Sequence, residues 1–127
     1  MTVLQPGAVE HPIITIVRFP VGAATLEPGA ARALFERTAP PYRSVPGLQR
    51  KLFLQGDGVG GGLYEWLSRA DAERWFSPAW HERMRTTYGV EPTIEWFEAP
   101  CIVDNLRGAI SVEAAAGGAV GAGAARP

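Results

Sequence analysis

The sequence predicts an α+β fold with the element order β-α-β-β-α-β, in which a four-stranded antiparallel sheet carries two helices on one face. Three features point to it. Ile13–Phe19 (IITIVRF) is a short β-branched run, and Asp57-Gly58 separates two apolar runs as a hairpin signal. Ala72, Trp75, Phe76, Ala79, Trp80, Met84 and Tyr88 then recur at three- and four-residue spacing, a wide helical stripe. At 127 residues, 46% of them hydrophobic, the chain has room for one domain and material for its core.

The elements follow in order. Residues 1–12 read as an N-terminal arm, interrupted by Pro6, Gly7 and Pro12, and residues 13–106 hold the folded domain. After the first strand, a helix begins near Pro28, with Ala30, Leu34, Thr38 and Tyr42 on one stripe and Ala31 and Phe35 widening it. Pro40-Pro41 distorts or ends that helix, and Val45-Pro46-Gly47 turns the chain into a second strand, Leu48–Gln55. Gly56–Gly62 holds regular structure poorly and reads as a loop leading to a third strand, Leu63–Leu67. Ser68, with Asp71 three residues on, caps the second helix. Ser77-Pro78 interrupts it, because Ser caps and Pro suits a first turn, so a kink or two short helices are expected there. Gly89 stops the second piece, and a fourth strand, Thr93–Phe97, is expected to extend past Pro100 through Val103. Residues 107–127 contain 13 Gly or Ala among 21 and no aromatic, which predicts a disordered tail.

Composition excludes several function classes. A net charge of −1 supplies no positive field for nucleic acid or an anionic membrane, so neither is an expected partner. The basic residues are eleven Arg and one Lys, Lys51, a bias that fits either genome composition or a demand for guanidinium groups. Cys101 is the only cysteine, which rules out a disulfide framework and a Cys-based metal site; it is expected as a small buried hydrophobe. His11 and His81 lack metal-ligand spacing, so no metal is expected. With no signal peptide or membrane-length apolar run, a cytoplasmic address is the expectation. Gly56–Gly61 formally matches G-x-G-x-x-G, but a strand follows where the dinucleotide motif needs a helix.

Apolar residues fall on both faces of the expected strands. Leu48, Leu52 and Leu54 share a side with Arg50, while Phe53 lies on the other; Ile94 and Trp96 oppose Phe97 and Ala99. Neither face is then fully wet, and pairing two sheets in a homodimer covers the second one.

The segment Tyr42–Asn105, with YRSVPGLQRKLFL, GGGLYEWLSRADAERWF and EPTIEWFEAPCIVDN, resembles the YdhR-like group of dimeric α/β-barrel proteins, relatives of the antibiotic-biosynthesis monooxygenases. The resemblance spans Ile13 to Asn105 and rests on Pro46-Gly47-Leu48 before Arg50-Lys51, and on Gly61-Gly62-Leu63-Tyr64 with Trp66. Glu65 and Leu67 depart from it, since an apolar residue more often precedes this Trp and an acid follows it. It implies a ferredoxin-like dimeric α/β barrel and a monooxygenase that needs no cofactor and acts on an aromatic or polyketide-like molecule. An isomerase or cyclase, or a non-catalytic dimer that holds an aromatic ligand, would use the same parts.

Individual residues suit those roles. His81 reads first as an exposed or capping histidine, and is otherwise the general-base candidate near neutral pH. Arg50 and Arg83 are candidates for stabilising a phenolate or enolate, if they do not simply face solvent. Glu65 reads as an interface carboxylate or a base of raised pKa. Tyr64, Trp66, Trp80 and Tyr88 are the candidate binding residues, because four Trp exceed what such a sheet needs for filling and their polar tips need partners. Trp75 and Phe76 are expected in the core.

Overall fold

The computed structural model describes residues 12–20 and 28–112. The expected arm before Pro12 and the tail beyond Val112 lie outside the described residues. Strand β1 (Ile13–Phe19) alternates as a half-covered strand should: Ile13, Thr15 and Val17 are buried, while Ile14 and Ile16 are half-buried. Helix α1 (Pro28–Thr38) ends where Thr38 Oγ1 donates to the Leu34 carbonyl at 2.9 Å, and Pro40-Pro41 divert the chain into a 3₁₀ turn, Pro40–Ser44.

Strands β2 (Leu48–Gly56), β3 (Val59–Trp66) and β4 (Thr93–Glu98) complete the sheet in the order β2-β3-β1-β4, each neighbour antiparallel. This is the ferredoxin-like βαββαβ arrangement. The second helical region divides at Ser77-Pro78, as that pair predicts. In α2 (Arg69–Trp75) the Ser68 hydroxyl accepts from Asp71 N, and in α3 (Pro78–Tyr88) the Ser77 hydroxyl accepts from Trp80 N. Gly89, at φ 75°, closes α3. The helices cover one face of the sheet. Ala72, Phe76 and Trp80 pack there on Ile13, Val17, Tyr64 and Trp66, and Phe35 of α1 meets Phe53 at 5.1 Å between ring centroids.

Five features differ from the sequence reading. Val59–Gly62 is strand rather than loop, and only the turn Asp57–Gly58 remains of the expected connector. Glycine is what permits it: at Gly61, with φ 152°, a Cβ would run into the Val17 carbonyl of the neighbouring strand. The register of β2 against β3 shifts between Leu48 and Arg50, a bulge that puts Leu48 and Lys51 on one face and separates Leu48 from Leu52 and Leu54.

The chain leaves the main sheet at Ala99-Pro100. Cys101–Asp104 therefore forms β5 of a separate hairpin with β6 (Ala109–Val112) instead of extending β4. Ordered structure thus reaches Val112, beyond the boundary expected at 106, because Ile110 and Val112 alternate as strand residues after the turn at Gly108 (φ 67°). Cys101, at the start of this hairpin, is exposed rather than buried. Among the described residues, no helix is long and apolar enough to cross a membrane.

Candidate functional site

A cavity of about 440 Å³ opens between α1, α3 and the helix-covered face of the sheet. That size lies within the roughly 300–1,000 Å³ common for small-molecule pockets. Its floor is Val17 and Phe19 of β1, Lys51 and Phe53 of β2, and Gly60–Gly62 with Tyr64 of β3. Leu34, Phe35 and Thr38 of α1 form one wall, Trp80, Met84 and Tyr88 of α3 the other, and Tyr42 of the 3₁₀ turn closes the end. The glycines make the space. Where β3 would otherwise carry side chains into the cavity it carries none, and a Cβ at Gly62 would stand 2.9 Å from Lys51 Cε.

Lys51 is the unusual group. Its Nζ lies 3.7 Å from the Tyr42 ring centroid, 4.1 Å from that of Phe53 and 4.6 Å from that of Tyr64. Seven arginines of the described chain pair with carboxylates, as in Arg18–Glu95 and Arg50–Glu65, whereas Lys51 pairs with none among the described residues. Burial without a counter-charge pulls the amine down to about 7. The three rings act in the opposite direction, since a cation over an aromatic face is favoured by about 0.5–2 kcal/mol. The amine is thereby poised between its two forms near neutral pH.

The two phenols beside it stay protonated. Burial raises Tyr64 well above the ordinary phenol range, and the neighbouring Tyr42 adds to the effect. Burial likewise raises Tyr42, with Tyr64 and the Arg83 guanidinium pulling the other way. The Trp75 indole N–H is buried without a hydrogen-bond partner among the described residues, although its field reaches the Tyr64 hydroxyl.

The structure brings some of the expected site residues together and separates others. Tyr64, Trp80 and Tyr88 line the cavity, Tyr88 half-exposed and 4.5 Å from Phe19 between ring centroids. Trp66 does not line it. It is fully buried behind Tyr64, stacked at 5.6 Å between centroids, and its Nε1–H donates to Thr15 Oγ1 at 3.0 Å. Phe76 is the hub of the core, with Tyr64, Trp66, Trp80 and Trp96 arranged edge-on around it.

Arg50 lies on the face of the sheet opposite the helices, 2.9 Å from Glu65, which fixes both on the side away from the cavity. His81 points from α3 to Glu91, with Nδ1 2.8 Å from Oε2, and is not a lining residue. Arg83 is exposed and acts on the Tyr42 phenol without lining the cavity.

Lys51, Tyr42 and Phe53 escaped the sequence reading. One signal was available: the single lysine among eleven arginines sits in the middle of an apolar strand, LQRKLFL. Among the described residues, no three His, Cys, Asp or Glu side chains cluster as a metal ion would require.

No protein-family model matches the chain, and comparison with curated proteins gives no match. Among solved structures, the chain is similar to NE2512, a protein of unknown function from Nitrosomonas europaea. The two share 20% identity over 69% of this chain and 88% of that one, with a TM-score of 0.49.

Proposed function

We propose that the cavity binds a planar aromatic small molecule bearing a phenol or enol, and that Lys51 takes the proton from it. The observation that carries this reading is the Lys51 amine, caged by three rings in an apolar cavity without a carboxylate partner among the described residues. A neutral amine accepts a proton and, once charged, stabilises the anion it has made. The flat ring faces of Tyr42, Phe53 and Tyr64 suit a flat ligand, and one amine on an apolar floor suits a small molecule better than a nucleic acid.

Proton removal of this kind is the step from which a cofactor-independent monooxygenase starts. The substrate carbanion passes electrons to dioxygen, a C–O bond forms, and the resulting hydroperoxide loses water to leave a carbonyl. The protein's part is to hold the ring, accept the proton and keep water away. Without dioxygen, return of the same proton to another carbon gives an isomerase.

A homodimer belongs to the same reading. The sheet face away from the helices, uncovered among the described residues, presents half-buried Ile14, Ile16 and Leu63, with Leu52 and Leu54 more than a third exposed and Phe97 half-exposed. A second copy laid face to face would bury this apolar centre, with the pairs Arg50–Glu65 and Arg18–Glu95 on the same face. A cytoplasmic setting fits the exposed free thiol of Cys101, which a reducing compartment preserves.

The test is 2-naphthol binding, read by tryptophan fluorescence because Trp80 lines the cavity, alongside oxygen uptake with anthrone. Saturable binding together with oxygen consumption that falls about a hundredfold or more in Lys51→Met supports the reading. Binding without oxygen uptake leaves a ligand-binding protein and removes the monooxygenase. Failure of both ligands to bind removes the site.

A further inference from the structure

We propose that the Lys51 ε-amine forms an imine with an aromatic aldehyde or ketone held in the cavity, so that this site captures its ligand covalently. The inference rests on the cavity being a ligand site, as argued above, and adds the chemical class of the ligand.

An amine attacks a carbonyl carbon only through its lone pair, and an ordinary surface lysine keeps that pair protonated at neutral pH. Lys51 differs in three respects. Its Nζ has no carboxylate partner among the described residues to hold the ammonium form. Three rings, 3.7–4.6 Å from the nitrogen to the centroids, stand where water would, and their attraction for a cation offsets only part of the lost hydration. Burial accordingly brings it to about 7, where a large share of the amine is neutral. The absence of a side chain at Gly62 leaves the Lys51 stem its path into the cavity, since a Cβ there would crowd Cε.

The remaining parts of the reaction are also present. The nitrogen adds to the carbonyl carbon as the C=O π bond breaks, and a proton moves from nitrogen to oxygen to give a carbinolamine. The C–O bond then breaks as the hydroxyl takes a proton from solvent and leaves as water, the nitrogen lone pair forms the C=N bond, and the nitrogen returns its remaining proton to solvent. No electrons enter or leave the system. Release of that water from a largely apolar lining to bulk solvent favours the dehydrated imine over its precursor.

The sequence makes the experiment clean, because Lys51 is the only lysine and the α-amine the only competing primary amine. The full chain is incubated at pH 7.5 with 2-naphthaldehyde and sodium cyanoborohydride, which reduces an imine to a stable secondary amine, and the adduct is located by peptide mass mapping. The expected result is saturable labelling of Lys51, at least about tenfold faster than labelling of the α-amine. It should be slowed by Gly62→Ala, blocked by excess 2-naphthol, and absent from the Lys51 peptide in Lys51→Met. Labelling confined to the α-amine, or Lys51 labelled no faster than it, overturns the proposal. Binding of 2-naphthol to a protein whose Lys51 stays unlabelled refutes the imine and leaves the ligand site standing. If naphthol does not bind and Lys51 stays unlabelled, both fail.

Discussion

Replacing Lys51 by methionine should make the protein more stable at neutral pH, and the gain should shrink as the pH rises. The buried amine is brought to about 7 in the folded chain from an ordinary value of 10.5. Between those values the unfolded chain binds a proton that the folded chain does not, so stability rises with pH there. The slope for one proton is about 1.4 kcal/mol per pH unit, which gives roughly 2–3 kcal/mol between pH 7 and pH 9. Below about pH 7 both states are protonated and the full penalty for the buried charge is present.

Methionine keeps the length and apolar bulk of the stem without the charge, so the variant should be flat over this window. The measurement stops at pH 9 because Tyr42 and Tyr64, both raised by burial, act in the opposite direction once an unfolded tyrosine begins to ionise near pH 10. Urea melts of the two proteins at pH 6, 7, 8 and 9 read the difference directly. A wild type whose stability does not rise relative to Lys51→Met between pH 7 and 9 would show that the ring faces hold the ammonium, and the reasoning about a neutral amine would fall.

Other outcomes follow from placement. Trp66→Phe should cost about 2–3 kcal/mol, from the lost hydrogen bond to Thr15 and the void left by the indole, while 2-naphthol affinity stays unchanged; weakened affinity in a fully stable variant would place Trp66 at the ligand. His81→Ala should alter neither that affinity nor anthrone turnover, because His81 faces Glu91 outside the cavity, and a large loss of turnover would restore it as the base. Leu63→Glu, at the centre of the uncovered sheet face between Ile16 and Leu52, should give a monomer by light scattering where the wild type gives a dimer; a monomeric wild type would remove the dimer.

Much of the fold is written in local signals. The β-branched run of β1, the Ser68 and Ser77 caps and the stop at Gly89 each act within a few residues, so their elements could be placed from the sequence. The glycines of β3 could not, because their requirement is the approach of the Val17 backbone from another strand. The bulge between Leu48 and Arg50 is equally silent, and it spoils the simple alternation that groups Leu48 with Leu52. The hairpin β5–β6 hides in a Gly/Ala-rich composition where four residues, Ala109–Val112, suffice for pairing.

The site was half legible for the same reason. Tyr64, Trp80 and Tyr88 could be singled out as an aromatic excess, but no spacing rule distinguishes them from Trp66, whose N–H partner Thr15 lies far away in sequence. Arg50, open in the sequence to either the cavity or solvent, pairs outward with Glu65. Lys51 gave no motif at all; its meaning comes from three rings supplied by the 3₁₀ turn, β2 and β3.

The most direct test of this account is the titration of Lys51 itself. With one lysine in the sequence, a protein labelled with ¹³C-lysine gives a single Cε resonance whose shift follows protonation of Nζ. The account predicts a midpoint at about 7 and a displaced resonance when 2-naphthol is added. A midpoint near the ordinary lysine value of 10.5, with no response to 2-naphthol, would contradict it.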